Sequence, residues 1–526
     1  MTIPVAIAYS PKTQTSGATL IGATTIVIDN TVNEGIESFP VASVEAPGVA
    51  VLCTNEHFNS EDPSDYETVT YTERDVPTNE LRGVTRGVEG TAREWPAGTW
   101  IASFTPASAW NEMRGEVVDL IGHTEETVTG IFNVKTGYGA KGDNSTDDTA
   151  AIQSAINAAV ANGGGVVFFP TGNYIVSSTL TVNQSNVSLI GSGPGKSIIK
   201  TTSASADVIV IGDGVTVRSN NSIKQLQIAS TVARTGGAGI STVWCQMIVV
   251  RDVFLIGMHT ALLLNTTLGY FDRIEIKNLT ATTGVGINIL GDLHGQGSGQ
   301  YLSNILIDNP SASKPAVGVK LSRTHATWMT DCDILHCING LLIDPDAGHQ
   351  VSWCFIKGVA VDQCSGIGIY LHCKTSTSVI KGITFEGCWS GSCGTHGVGL
   401  VAVSGAVLDC VRFIGHRSFS NGRNGFVVND GTNISIDACD VSGNSTESSG
   451  VYSGIEFRVG VSGFAARNCR SGQMAGFSNT QDRGIIVQPG GSDDYIITNN
   501  DLRGNVTAGL YDGGTGTNKI IDNNLS

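Results

Sequence analysis

The sequence predicts an all-β solenoid, short strands wound into stacked coils, with one amphipathic helix near its start and a small β-rich module ahead of it. Three observations carry that prediction. The chain holds 66 glycines in 526 residues, with 15% charged and 6% aromatic residues and a mean hydropathy of +0.07. Such a composition excludes disorder and suits many short strands between Gly and Asn turns. Gly–apolar pairs then recur from Gly239-Ile240 to Gly509-Leu510, passing through Gly286-Ile287, Gly318-Val319, Gly340-Leu341, Gly366-Ile367, Gly397-Val398, Gly425-Phe426, Gly454-Ile455 and Gly484-Ile485. From Gly318 on their spacings are 22, 26, 31, 28, 29, 30 and 25 residues, the irregular period of coils whose loops vary in length. Finally, one good helical stripe occurs near residue 150 and almost none follows.

The helix is predicted over 147–162. Ile152, Ile156 and Val160 recur at i, i+4 and i+8. Ser145 or Thr146 can cap the start, Asp147 and Asp148 oppose the positive end of the dipole, and Gly163-Gly164-Gly165 stops it. "VVFF" reads as a buried strand and "NYIVSSTLTV" as the next. A lone helix before strand upon strand suggests a lid over an open sheet end that would otherwise invite aggregation.

A second register aligns "CDILHC", "VAVDQC", "ITFEGC", "VRFIGH", "CDVSGN" and "NDLRGN" without gaps. Alternation along a strand turns their first, third and sixth positions inward, the last after a bend. This predicts internal ladders Cys332/Val359/Ile383/Val411/Cys439/Asn500 and Cys337/Cys364/Cys388/His416/Asn444/Asn505. Ten of the twelve cysteines lie between Cys332 and Cys469 with no CxxC pair, so buried free thiols are expected rather than disulfides or a metal site.

Ahead of the helix, "TTIVIDN", "GVAVLCTN", "TVTYTERD" and "GTWIASF" alternate like strands of a module over 1–106. In 107–130, Trp110, Met113, Val117 and Ile121 form one helical stripe, which suits a three-chain neck and a helix packed on its own domain equally. The solenoid is predicted over 131–526.

The segment "FNVKTGYGAKGDNSTDDTAAIQSAINAA…GGGVVFFPTGNYIV…LIGSG", about 132–193, resembles the start of the pectate-lyase-like right-handed parallel β-helix, in the version found in bacteriophage tailspikes and capsule depolymerases. "LRGVTRGVEGTAREWPAGTW" is similar to a segment of N-terminal modules in phage tail and baseplate proteins. The resemblance implies the fold and leaves the chemistry open, since this scaffold hosts hydrolases, lyases, epimerases and inert binders.

Net charge of −16 disfavours a nucleic-acid partner, and no stretch reaches the length of a membrane span. "MTIPVAIAYSPKTQ" lacks the basic and apolar regions of a signal peptide, so synthesis in the host cytoplasm is expected. "GSGPGKS" at 191–197 is one residue short of a P-loop, and the strand-like "SIIK" follows where a helix is needed. Asp143, Asp147 and Asp148 could hold a cation, though capping explains them. The ten histidines show no metal-ligand spacing, and neither metal nor cofactor is expected.

Candidate chemistry falls in the coils over 325–420. Trp328, Trp353 and Trp389 lie there, beside His325, His336, His349, His372, His396 and His416. The alignment turns Asp333, Asp362 and Glu386 outward on successive coils, the last two in one column. Strand spacing then predicts about 5 Å between Asp362 and Glu386 and about 8 Å between Asp333 and Asp362, separations that bracket retaining and inverting glycosidases. Asp362 and Glu386 are the expected acid/base or nucleophilic pair, with Asp333 holding water. The tryptophans are the expected sugar platforms, and Arg412, outward on the next coil, the partner for an acidic sugar. Outward carboxylates that only keep a solenoid soluble are the competing reading.

The resemblance implies a homotrimeric phage tailspike, attached to tail or baseplate proteins through 1–106, that binds and cleaves a bacterial surface polysaccharide. A spike that binds without turnover and a cellular pectin-type lyase or hydrolase are the alternatives.

Overall fold

The computed structural model describes residues 130–526 except 281, 292–296 and 311–312, and short strands of the preceding residues. The chain forms two compact units, Met1–Thr127 and Val128–Ser526. Among the described residues of the first, eight strands pair antiparallel, including Thr25–Asp29, Gly48–Cys53, Tyr66–Tyr71 and Trp100–Phe104. The predicted helical segment with Trp110, Met113, Val117 and Ile121 lies outside the described residues.

The second unit is an all-β right-handed parallel solenoid. Each coil contributes to three parallel sheets. The first sheet includes Trp328–Thr330, Phe355–Lys357 and the ends of Val379–Glu386 and Val407–Ile414. The second includes Asp333–Leu335, Ala360–Asp362, Trp389–Gly391 and Arg417–Phe419. The third includes Val317–Leu321, Asn339–Ile343, Ile369–Cys373, Val398–Ala402 and Phe426–Val428.

The helix, Thr149–Ala161, packs on the first strands of the solenoid through buried Ile152, Ala155, Ile156 and Ala159. Its N-cap is Asp148, not Ser145 or Thr146. The three aspartates tie down backbone instead of capping through their side chains. Asp148 accepts hydrogen bonds from the Lys141 and Gly142 N–H groups at 2.6 and 2.9 Å. Asp143 accepts from Ser145 and Thr146, and Asp147 from Thr149 and Ser177. "NYIVSSTLTV" is two strands, Gly172–Val176 and Leu180–Val182, on different sheets. Strand Ser197–Thr201 follows "GSGPGK", as the rejection of a P-loop requires.

The Gly–apolar pairs start the strands of the third sheet. Ile240, Leu262, Ile287, Val319, Leu341, Ile369, Val398, Phe426, Ile455, Ile485 and Leu510 stack in one register. The pair in the sixth of these coils is Gly368-Ile369, not Gly366-Ile367. The glycines are there for space. A β-carbon on Gly340 would sit 2.1 Å from Val361 Cγ1 and 2.8 Å from the Gly368 oxygen, and one on Gly425 2.4 Å from Val441 Cγ1. Inward side chains of the second sheet therefore abut the backbone where the third begins.

A residue with positive φ turns the chain from first to second sheet in coil after coil: Asn304, Asp331, Gly358, Gly387 and Gly415, with φ of 53, 51, 62, 60 and 61°. A second set, His336, Gln363, Ser392 and Ser420, ends the second sheet. Gly387 decides a register that the gapless alignment missed. Thr384–Glu386 of "ITFEGC" precede the bend and stack on Phe355–Lys357, whereas "CWSGSC", 388–393, is the segment that stacks on "VAVDQC".

The true ladders are thus Cys332/Val359/Cys388/His416/Cys439/Cys469/Asn500 and Cys337/Cys364/Cys393/Asn421/Asn444. Neither Ile383 nor Val411 belongs to them. Asn444 extends the second ladder through Gln481 to Asn505, amide to amide at 2.8 and 3.0 Å, which satisfies polar groups inside the core. All the described cysteines are free, and all but Cys410 are buried.

Candidate active site on the third sheet

Alternation along Ile369–Cys373 buries Ile369, Leu371 and Cys373 and turns Tyr370 and His372 outward, with Lys374 just beyond. The neighbouring coil brings Asp344 beside His372, because Ile343 pairs with Leu371. Asp344 is 6% exposed. Its Oδ2 accepts from Lys374 Nζ at 2.7 Å and lies 3.5 Å from Lys320 Nζ. Its Oδ1 makes no hydrogen bond and faces His372 Nδ1 at 3.6 Å. Tyr370 and His372 stack with ring centroids 5.0 Å apart. Lys374 also approaches Asp346, which Arg323 holds at 3.1 Å.

Electrostatics sort these groups by protonation state. Burial holds the His372 imidazole below its ordinary range, Lys374 adds to the shift, and Asp344 opposes it. Burial, with Asp344 nearby, raises the Tyr370 phenol. At neutral pH the cluster therefore offers a neutral imidazole and a protonated phenol beside the Asp344, Lys320 and Lys374 side chains. That set can hold an anion and exchange a proton beside it.

A second constellation lies on the second sheet. Asp333 pairs with Ala360, two residues from Asp362 in the adjoining coil, so their separation is the roughly 8 Å that strand spacing gives. Asp362 stands between Leu335 and Gly391, and the Phe419 ring lies over Gly391. Burial raises the Asp362 carboxyl, which accepts from the Gln363 N–H at 2.8 Å. His336 joins Asp308 at 2.7 Å and Gln363 at 3.1 Å. Trp389, 39% exposed, meets Phe419 edge to face.

Residues 131–392 match the family model described as rhamnogalacturonase A/epimerase, pectate lyase-like. The solenoid is related to the pectate-lyase-like β-helices. Over 76 residues, 13% of this chain, it is 51% identical to mannuronan C5-epimerase AlgE3 of Azotobacter vinelandii, covering 4% of that protein. Over 75 residues it is 48% identical to alginate lyase 7 of the same organism, covering 9% of it. The chain spans less than a tenth of either relative's length. The structure of tailspike protein 3 of bacteriophage CBA120 is similar in fold, with a TM-score of 0.54 and 13% identity over 95% of this chain and 82% of that one.

On this pectate-lyase-like β-helix the residues singled out in the sequence divide between two faces. Asp333, Asp362 and Trp389 share the second sheet. Glu386 does not join them: it lies on the first sheet between Lys357 and Ile414, paired with Lys357 Nζ at 3.0 Å. The expected Asp362/Glu386 column is absent because the bend at Gly387 separates the two segments.

Trp328 cannot be a stacking platform for sugar. Tyr301 covers one face at 4.9 Å and Phe355 the other at 5.7 Å, within a ladder that starts at Tyr270. Trp353 sits at the corner before the first sheet, 55% exposed, with its ring against Gly382. Arg412 is outward on the first sheet, two coils past Phe355.

Sequence reasoning missed Tyr370, Asp344, Lys374 and Lys320. The signal was the alternation in "YLHCK", polar and apolar by turns, with every polar member able to carry or accept a proton. Among the described residues, no group of three or more His, Cys, Asp or Glu side chains is gathered as a metal site. No described helix is long and apolar enough to cross a membrane.

Proposed function

We propose that this chain modifies an acidic polysaccharide on the outer face of its third sheet, by removing the proton next to a uronate carboxylate. The observation that carries the reading is the buried Asp344 between His372 and two lysines, with Tyr370 stacked on the imidazole. The likeness of a short stretch to an epimerase and a lyase of mannuronan-type polymers supports the choice of substrate class.

Lys320 and Lys374 neutralise the uronate carboxylate, which makes the C5–H bond acidic. Neutral His372 takes that proton, and the C5–H electrons pass into an enolate held by the ammonium groups. In elimination the electrons return to form the C4–C5 double bond, the C4–O bond breaks, and Tyr370 protonates the leaving oxygen. In epimerisation a solvent water returns a proton to the opposite face of C5, because Tyr370 lies stacked on His372 on the same side, and no bond to oxygen breaks; the proton on His372 neutralises the hydroxide left.

The experiment is incubation with alginate and with polygalacturonate, following ultraviolet absorbance of the unsaturated product, NMR of C5 configuration, and reducing ends. Elimination or inversion that His372→Ala abolishes is the expected result. New reducing ends without unsaturation, lost in Asp362→Asn, would replace it with hydrolysis. The roughly 8 Å Asp333–Asp362 relation, which suits an inverting mechanism, favours that second reading.

The likeness of 81–100 to phage tail modules supports placing this chemistry in a virion tail, as a homotrimeric spike engaging host surface polysaccharide. Mass spectrometry of purified virions and sedimentation of the isolated chain test location and trimer. A monomer absent from particles leaves a cellular pectin-type enzyme.

A further inference from the structure

The aromatic ladder on the first sheet ends abruptly. Below Tyr270, Tyr301, Trp328 and Phe355 the same column continues with Thr384, Arg412, Ser435, Ala465 and Ile496. No ring follows Phe355 in the column, and an open depression of about 880 Å³ lies below the step, lined by Arg412, Ser435, Asp437, Ala465, Arg467 and Asp494 among others. Phe355 is 46% exposed; its partner ring lies above it, and Thr384 is its neighbour below.

Arg412 is exposed, projects into this depression and has no carboxylate partner among the described residues. Arg467 is 3.5 Å from Asp437, but its Nε is buried without a hydrogen-bond partner. The Arg412 guanidinium in this depression, with the exposed Phe355 ring two coil steps above it, presents what a carboxylated sugar chain needs: a charge-assisted donor and an apolar platform.

We propose that this groove is a second polysaccharide-binding site, separate from the catalytic cluster, which anchors a segment of acidic polysaccharide with Phe355 against a sugar face and Arg412 on a carboxylate. The choice of an acidic polymer rests on the function proposed above. Phe355 to Ala465 spans four coil steps, roughly 19 Å, room for about four sugar residues at the same spacing. Anchoring away from the reacting residues would keep a long polymer on the surface between turnovers.

The test is calorimetric titration of full-length His372→Ala, which does not turn over substrate, with a mannuronate hexamer and with cellohexaose as the neutral control. Binding of the hexamer but not cellohexaose is expected. Arg412→Ala should weaken it at least fivefold with unchanged thermal melting, and Phe355→Ala at least threefold, with melting lowered by no more than the loss of its stack on Trp328. Equal affinity in Arg412→Ala, or equal binding of cellohexaose, overturns the proposal. So does a fall in oligomeric mass by light scattering in Arg412→Glu, which makes the groove a contact between copies. Arg412-dependent binding by a wild-type chain inactive on every uronan keeps the groove and removes the catalytic assignment. Turnover with Arg412-independent binding does the reverse.

Discussion

Asp344 Oδ1 lies 3.6 Å from His372 Nδ1, while its Oδ2 accepts from Lys374 Nζ at 2.7 Å. One buried carboxylate thus touches both the candidate base and the candidate carboxylate-neutralising cation. Replacing it should disturb both. Asp344→Asn is expected to lower kcat/KM by a hundredfold or more, in keeping with loss of groups that position a general base.

The acid limb of the pH–rate profile follows from the same contacts. Only neutral His372 can accept a proton, and burial depresses its pKa. Activity should therefore persist below the ordinary histidine value of about 6.5 and fall only under more acid conditions. Lys374 lowers this pKa and Asp344 raises it. Lys374→Ala should move the limb to higher pH and Asp344→Asn to lower pH, both read from kcat/KM against pH.

His416 predicts a pH dependence of stability. It is fully buried in the ladder between Cys388 and Cys439, with Nε2 3.0 Å from Ser390 Oγ, and burial pushes its pKa down to about 3. The unfolded chain, with an ordinary histidine, binds more protons between about 3 and 6.5, so stability rises with pH across that window and is lost as pH falls through it. Urea unfolding at pH 4, 5, 6 and 7 should show a slope approaching 1.4 kcal/mol per pH unit from this group. His416→Gln should flatten that slope, leaving the part due to His396, whose pKa burial lowers to about 4.

Gly340→Ala tests the tight corner between second and third sheets. The added carbon would meet Val361 Cγ1 at 2.1 Å and the Gly368 oxygen at 2.8 Å. Backbone on one side and a ladder side chain on the other leave little room to yield. A loss of about 1–3 kcal/mol is expected by denaturant unfolding.

Trp328 and Glu386 should separate in the same assay. Trp328→Ala removes two stacked ring contacts, each worth about 0.5–1.5 kcal/mol, and should destabilise the solenoid measurably. Glu386→Gln removes an ion pair whose side chains are more than half exposed, so its effect should stay within about 0.5 kcal/mol.

What the sequence determined by itself was whatever short-range rules control. Alternation marked the inward ladders, the Gly–apolar pairs marked the strands of the third sheet, and Ile152 and Ile156 marked the helix that caps the end. Adjacent coils 332–337 and 359–364 were legible because their inward positions carry matching small apolar side chains, Cys332 over Val359 and Cys337 over Cys364. The relation of Asp333 to Asp362 was legible for the same reason.

Only the tertiary structure decided where the chain turns. A residue enters the left-handed bend between sheets through the packing of the whole coil, and Asp331, Gly358 and His336 share no common side-chain chemistry. The bend at Gly387 moved Glu386 to another sheet from Asp362 and put Cys388 in place of Ile383. Stacking likewise decided that Trp328 has both faces covered, and that Asp344 and Lys320, from other coils, meet Tyr370, His372 and Lys374. A strand's own sequence fixes which side chains face outward, but which outward side chains meet depends on where the bends between strands fall, and packing of the whole coil sets those positions.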